Sequence, residues 1–198
     1  MTRGQKAVYN SVASIIVQIV SLISGFVLPR LILSRFGSDY NGITASITQF
    51  LSVIALLRAG VGGATRASLY RSLERKDYDQ VSATVRATEQ FMRKVALIFA
   101  VFILFFACVY PYFVRDEFEW VFSATLVLII SISTFVQYFF GITYQMLLQA
   151  DQKQYIYSFL EIITIIINVL LSVLLIRTGV GIHGVKLGSA LAFCITPI

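Results

Sequence analysis

Apolar runs of bilayer-spanning length occupy most of this chain, and they leave room for one class of fold. Crossing roughly 30 Å of hydrocarbon takes about 20 residues of helix. Backbone groups in lipid have no water to bond, so a run of that length satisfies them internally, as a helix. The runs fall at about 7–29, 41–66, 93–114, 120–148, 155–177 and 184–198. The sixth offers only about 15 residues, or about 22 Å of helix, and stops short of the far side unless Pro197 marks an interface. A chain that is 58% hydrophobic and 13% charged holds more apolar surface than a soluble core can use. The expected fold is all-α: a polytopic transmembrane bundle of about six spans, with 1–198 forming an N-terminal lobe whose C-terminal lobe is missing.

Arg3 and Lys6 precede the first run, the arrangement of a signal peptide, but the run is too long for one. It ends in Leu28-Pro29-Arg30 without a small-x-small cleavage site, and five more runs follow. Cys108 and Cys194 lie singly inside apolar spans and read as small buried hydrophobes.

Positive residues near span ends are retained on the cytoplasmic side. With the N-terminus inside, cytoplasmic segments hold Arg3, Lys6, Arg66, Arg71, Arg75, Lys76, Arg86, Arg93, Lys94 and Lys153. Outer segments hold Arg30, Arg35, Arg115, Arg177 and Lys186. The N-terminus is therefore expected in the cytoplasm, and the net charge of +6 largely reflects topology. Nucleic acid would need a soluble basic patch interleaved with aromatics, and there is none.

The one sizeable loop, 67–92, is expected to be a cytoplasmic amphipathic connector. Asp79 is a candidate N-cap, and Val81, Val85, Thr88 and Met92 recur at helical spacing. Its basic residues suit anionic lipid headgroups; a solvated connector obeying the charge rule is the plainer reading.

Polar groups within spans are costly, so they face a partner helix or a water-filled cavity. Span one carries Ser11, Ser14, Gln18, Ser21 and Gly25 on one helical face, and span five carries Ser158, Glu161, Ile165, Asn168 and Ser172. Span four offers Thr134, Gln137, Gly141 and Gln145. Ala55-Ala59-Gly63 and Gly184-Gly188-Ala192 read as packing seams. Gln18, Gln137, Gln145 and Asn168 are cavity candidates, with interhelical hydrogen bonding as the alternative.

Two ionisable residues lie inside spans. Arg58 is about 12 Å from the cytoplasmic boundary and Glu161 about 9 Å. An ion pair bordering a cavity would lower the cost of both; Arg58 snorkelling to the headgroups is the alternative. There is no phosphate-binding loop, no His/Cys cluster at metal spacing and no carboxylate pair facing a nucleophile. No enzyme activity and no cofactor are expected. His183 sits in an outer loop between Gly181 and Gly184. Alternating access is the mode of transport open to a chain of this kind.

Leu28-Pro29-Arg30-Leu31-Ile32-Leu33-Ser34-Arg35-Phe36-Gly37, Asn41-Gly42, Gln49-Phe50-Leu51 and Leu57-Arg58-Ala59-Gly60-Val61-Gly62-Gly63-Ala64 resemble the start of polysaccharide-biosynthesis flippases. These are the O-antigen and capsule translocases of the multidrug/oligosaccharidyl-lipid/polysaccharide exporter superfamily. The short loop Leu148-Gln149-Ala150-Asp151-Gln152-Lys153 adds to the resemblance, which covers nearly the whole chain. It implies two six-helix lobes around a cavity opening alternately to each face of the bacterial inner membrane. It also implies a lipid-diphosphate-linked oligosaccharide as substrate, with Arg58 placed to attract the diphosphate. Implied partners are membrane lipids, the chain's own C-terminal lobe, and polymerase and glycosyltransferase machinery. Relatives often carry an acidic residue just before the Ala-Gly of span two, so Arg58 reverses a local charge. A cation-coupled drug exporter of the same superfamily would call for a carboxylate deep in the first spans, and span one has none. A non-transporting scaffold would close every polar stripe against a neighbouring helix.

Overall fold

The computed structural model describes residues 3–136 and 141–194, with the backbone alone at 3, 54–61 and 142. Eight helices follow one another, and no strand occurs among the described residues. They are α1 (Arg3–Phe36), α2 (Ser38–Leu51), α3 (Ile54–Glu74), α4 (Tyr78–Phe113), α5 (Trp120–Val136), α6 (Ile142–Ala150), α7 (Gln154–Arg177) and α8 (Ile182–Phe193). Three of them, α1, α4 and α7, are each long and apolar enough to cross a bilayer alone.

The described helices differ from the expected spans at two places, in span one and in span two. Span one does not stop at Pro29. The helix runs through it to Phe36 and ends at Gly37, whose φ of 97° suits a residue without a Cβ. A proline is tolerated in a membrane helix when surrounding groups re-satisfy the freed backbone. Span two is two helices, α2 and α3. At the break the Ser52 hydroxyl donates to the Gln49 carbonyl at 2.6 Å, and the Ser52 and Val53 amides reach back three residues. A side chain competing for helix carbonyls tightens and interrupts the turn. The described parts of span four are α5 and α6; residues 137–140 lie outside the described residues. In the sixth span α8 already begins at Ile182; Pro197 lies outside the described residues.

Segment 67–92 is helical on both sides of a three-residue turn, Arg75 to Asp77. The cap of α4 is Asp77, not Asp79: its carboxylate accepts from the Gln80 amide at 3.0 Å. Asp77 wins because α3 ends in a left-handed Lys76 (φ 56°), with the Asp77 amide bonded back to the Ser72 carbonyl. The face carrying Val81, Val85, Thr88 and Met92 turns inward, with Thr88 and Met92 buried.

The apolar core lies between α2, α3, α4, α5 and α6. It contains Ile43, Ile47 and Leu51 from α2, Leu69 from α3, and Met92, Val95, Phe99, Ile103, Phe106 and Tyr110 along α4. The outer surface is equally apolar: Phe26 is 76% exposed, Phe105 65% and Leu170 64%. Buried positions meanwhile include Ser123, Ser131, Ser158, Thr164, Asn168 and Ser172. Large hydrophobics outside and small polar side chains inside describe a molecule whose solvent is hydrocarbon.

Candidate functional site

The helices pack in a chain of neighbours in which α3 meets α6, α6 meets α7, α7 meets α1 on one side, and α8 covers the other side of α7. At one end of the bundle these elements are tied together by polar contacts. Arg66 donates through Nε to the Gly62 carbonyl and through Nη1 to Gln149 Oε1 at 3.2 Å, joining α3 to α6. Asn10 on α1 accepts from the Tyr155 amide at 2.9 Å and donates to the Gln152 carbonyl at 3.0 Å, joining α1 to the start of α7. Lys6 donates to the Asp151 carbonyl at 3.3 Å. Lys153 Nζ lies 2.6 Å from Asp151 Oδ2, and this hydrogen bond, with the carboxylate's charge, raises the Lys153 pKa above its ordinary value. This is the basic end of the molecule.

Counted along their helices from those ties, four of the six candidate residues lie about 6–12 Å from the tied end. Gln18 is eight residues above Asn10, about 12 Å, and Glu161 is six residues above Tyr155, about 9 Å. Gln145 lies four residues from Gln149, about 6 Å, and the backbone of Arg58 eight residues from Arg66, about 12 Å. They sit on α1, α7, α6 and α3, which are consecutive neighbours. Gln18 is exposed, and Glu161 and Gln145 are half-buried. The Arg58 side chain and all of Gln137 lie outside the described residues. So does the Arg58–Glu161 ion pair.

Asn168 is elsewhere. It is 3% exposed, about 20 Å above Tyr155, and Ser172 Oγ approaches its Oδ1 at 3.5 Å and Ser189 Oγ on α8 at 3.3 Å. Ser189 itself donates to the Val185 carbonyl, so Ser172 has one proton to share between two acceptors. Ser172–Ser189 is the contact between α7 and α8, and Asn168 adjoins it from within α7.

The two faces of α1 behave differently. Its covered positions are Lys6, Asn10, Ala13, Val17, Val20, Ser24 and Val27, spaced alternately four and three. The polar stripe lies one residue further round, and Ser11, Ser14, Gln18 and Gly25 are exposed, with only Ser21 half-covered. The stripe is therefore not the packing seam of α1 among the described residues. Between α1 and α7 lies an apolar hollow of about 270 Å³, lined by residues including Val20, Ile23, Val27, Ile166 and Leu170. A polar hollow of about 120 Å³ opens at the basic end beside Lys6, Tyr70, Glu74 and Asp151.

At the opposite end His183 Nε2 lies 2.9 Å from Thr125 Oγ1 and 3.2 Å from the Phe122 carbonyl, with its ring edge-on to Phe122. Thr125 already donates its hydroxyl proton within α5, at 2.8 Å to Val121. His183 is therefore the donor, with its proton on Nε2. It opens α8 instead of standing in a loop, and it fastens α8 to α5. Sequence reasoning passed over Asn10 and Thr125. The signal for Asn10 was its spacing four from Lys6 and three from Ala13; Thr125 gave none. No group of three or more His, Cys, Asp or Glu is placed to hold a metal among the described residues. Cys108 is exposed and Cys194 half-buried; both are free thiols.

The chain matches no family model and no curated protein sequence. Two solved structures share its fold. One is a MATE in the straight conformation, with a TM-score of 0.81 and 14% identity; the other is a MATE point mutant, with a TM-score of 0.80 and 13% identity. Each alignment covers 100% of this chain and 45% of the other, so the chain spans less than half the length of these structures. Identity at this level speaks to fold: an all-helical, multi-pass membrane architecture of the kind that forms one lobe of a MATE chain.

Proposed function

We propose that this chain is the N-terminal lobe of a transporter, not an enzyme, that moves a lipid-diphosphate-linked oligosaccharide across the bacterial inner membrane by alternating access. The observation that carries the reading is the polar level formed by Gln18, Gln145, Glu161 and the backbone position of Arg58 on four successively packed helices. Gln18, Ser11 and Ser14 are uncovered, on a stretch of α1 whose other exposed side chains, Val12, Ile15, Ile16, Ile19, Leu22, Ile23 and Phe26, are apolar. Side chains of that kind are retained in hydrocarbon when they line a hydrated path. The MATE-like fold supports a lobe arranged around such a path. The sequence resemblance supports the oligosaccharide-lipid substrate, and a guanidinium at position 58 suits phosphate oxygens better than an ammonium does. On this reading the basic end faces the cytoplasm, as the distribution of Lys and Arg requires. The partners are membrane lipids, a C-terminal lobe, and the polymerase and glycosyltransferases that handle the same glycan.

Translocation of a fluorescent lipid-diphosphate sugar in proteoliposomes holding the complete protein tests this. Arg58→Ala should slow it at least about tenfold, with Arg58→Lys intermediate, since an ammonium keeps the charge and loses the fork. Full activity in both variants would sink the assignment. A cation-coupled drug or small-molecule exporter is the second reading, favoured by the Glu161 carboxylate at the same level. It predicts that Glu161→Gln abolishes ion-coupled efflux while oligosaccharide-lipid translocation is absent in the wild type.

A further inference from the structure

Helix α7 begins without a cap of its own. Its N-cap residue, Lys153, makes no side-chain bond to the first turn. The Tyr155 amide is one of the N–H groups that an α-helix leaves without an internal partner. Asn10, 145 residues away in sequence, fills the vacancy: its Oδ1 accepts from Tyr155 N at 2.9 Å. Its other end is used at the same time, because Nδ2 donates to the Gln152 carbonyl at 3.0 Å. Gln152 is held in a left-handed conformation, φ 57°, between the end of α6 and the start of α7. Lys6, one turn earlier on the same face of α1, binds the carbonyl of the adjacent Asp151 and lies 3.9 Å from its carboxylate. Two residues of one helix thus engage Asp151, Gln152 and Tyr155 in the α6–α7 turn and the first turn of α7, and the Tyr9 and Tyr155 rings lie alongside, 6.2 Å apart.

We propose that Asn10, assisted by Lys6, is a positioning residue that caps α7 in trans and sets the register of α1 against α7. The reason such a device is needed lies in the rest of the interface. Above Asn10 the covered face of α1 is Ala13, Val17, Val20, Ser24 and Val27, and the hollow it shares with α7 is almost wholly apolar. Apolar contacts between helices in a membrane are scarcely favoured over contacts with lipid tails, so they do not by themselves select one vertical offset or rotation. Amide-to-carbonyl hydrogen bonds do, because a shift of one residue breaks both at once. The latch fixes where Ser11, Ser14 and Gln18 point, and at what height relative to Glu161. The consequence for transport rests on the function proposed above; the capping itself does not.

The test uses hydrogen exchange on the complete protein in nanodiscs, read at the Tyr155 amide. Asn10→Ala should raise its exchange about fivefold, as expected for loss of a cap. Asn10→Asp retains an acceptor oxygen and should restore most of the protection. Unchanged exchange in Asn10→Ala would overturn the trans cap, and equal exchange in Asn10→Ala and Asn10→Asp would overturn the role of Oδ1. The second readout is labelling of Gln18→Cys and Ile19→Cys by a membrane-impermeant thiol reagent, added from the basic side. In the Asn10 background Gln18→Cys should label and Ile19→Cys should not; with Asn10→Ala that contrast should fall. A contrast that survives in Asn10→Ala would overturn the positioning role. If Gln18→Cys fails to label even beside Asn10, the hydrated path of the proposed function is refuted, while the exchange result still decides the cap. Should Asn10→Ala not fold, Lys6→Met is read at the same amide. A rise there supports the latch, and unchanged exchange overturns the assistance of Lys6.

Discussion

Gly188 lies where α8 meets α7, and substitutions there give the sharpest energetic prediction. A Cβ added at this position would lie 2.6 Å from Leu175 Cδ1 and 3.3 Å from Leu171 Cδ2. Carbon atoms settle at about 3.5–4.0 Å, so the Leu175 methyl has to withdraw by about 1 Å. It is the free end of a half-buried side chain, and turning it away costs about 0.5–1.5 kcal/mol. Alanine recovers about 0.5–1 kcal/mol over glycine inside a helix. The two effects nearly cancel, so Gly188→Ala should change stability by less than about 1 kcal/mol. Gly188→Val adds two more carbons against Leu171, whose Cγ is already 3.5 Å from the first, and overpacking of this kind costs about 1–3 kcal/mol. No hydrophobic gain offsets it, because the separated helix keeps its side chain in lipid. Reversible unfolding in mixed micelles, followed by the fluorescence of the single Trp120, measures the difference. The valine variant should lie about 2 kcal/mol below the alanine variant. Equal stability of the two would refute a close approach of α8 to α7.

Ser123 is 0% exposed, and among the described residues its hydroxyl has no hydrogen-bond partner. Ser123→Ala should therefore stabilise the protein by about 1 kcal/mol in the same unfolding assay, and a loss of similar size would show that the hydroxyl is engaged. Lys153 has its pKa raised, first by its hydrogen bond to Asp151. A raised folded-state pKa means that the contribution is complete below the unfolded value of about 10.5 and is lost as pH rises through the folded value. The pair is exposed, so it is worth no more than about 0.5 kcal/mol. The melting difference between wild type and Lys153→Met should stay level from about pH 7 to 9 and shrink above about 10.5; a difference that grew with pH would contradict this.

Much of the fold was legible in the sequence because hydrocarbon thickness and backbone satisfaction act on long windows. Six apolar runs, the sixth of them short, gave positions that the described helices occupy. The helix ends were harder, because single side chains decide them. Span two breaks at Ser52–Val53, a two-residue interruption that a hydropathy window averages away. Pro29 looked like a terminus and is interior, since the preference that stops helices at proline in water is relaxed in a membrane. Asp77 displaced Asp79 as the cap of α4 because α3 ends one residue earlier in a left-handed turn at Lys76. Composition distinguishes two neighbouring aspartates no better than a coin toss.

The candidate site was legible in its residue types and illegible in its facing. On α1 the polar stripe and the true seam are one residue apart, a rotation of about 100°, and both recur at spacings of three and four. In a soluble protein the buried face would be the apolar one, and the ambiguity would vanish. In lipid an apolar side chain is equally content against protein or acyl chains, so hydropathy does not say which stripe packs. Only polar groups carry that information, and they carry it pairwise. Asn168 identifies its face by meeting Ser172 near Ser189, and Asn10 by meeting Tyr155 and Gln152. Ser172–Ser189 and Asn10–Tyr155 join residues of different helices, 17 and 145 apart in sequence, so no local pattern announces them. Gln18 has no place in such a pairing with α7 and stays uncovered at the level of Glu161. Its exposure sets it apart from the packing residues of α1 among the described residues, a distinction that one-dimensional periodicity does not make.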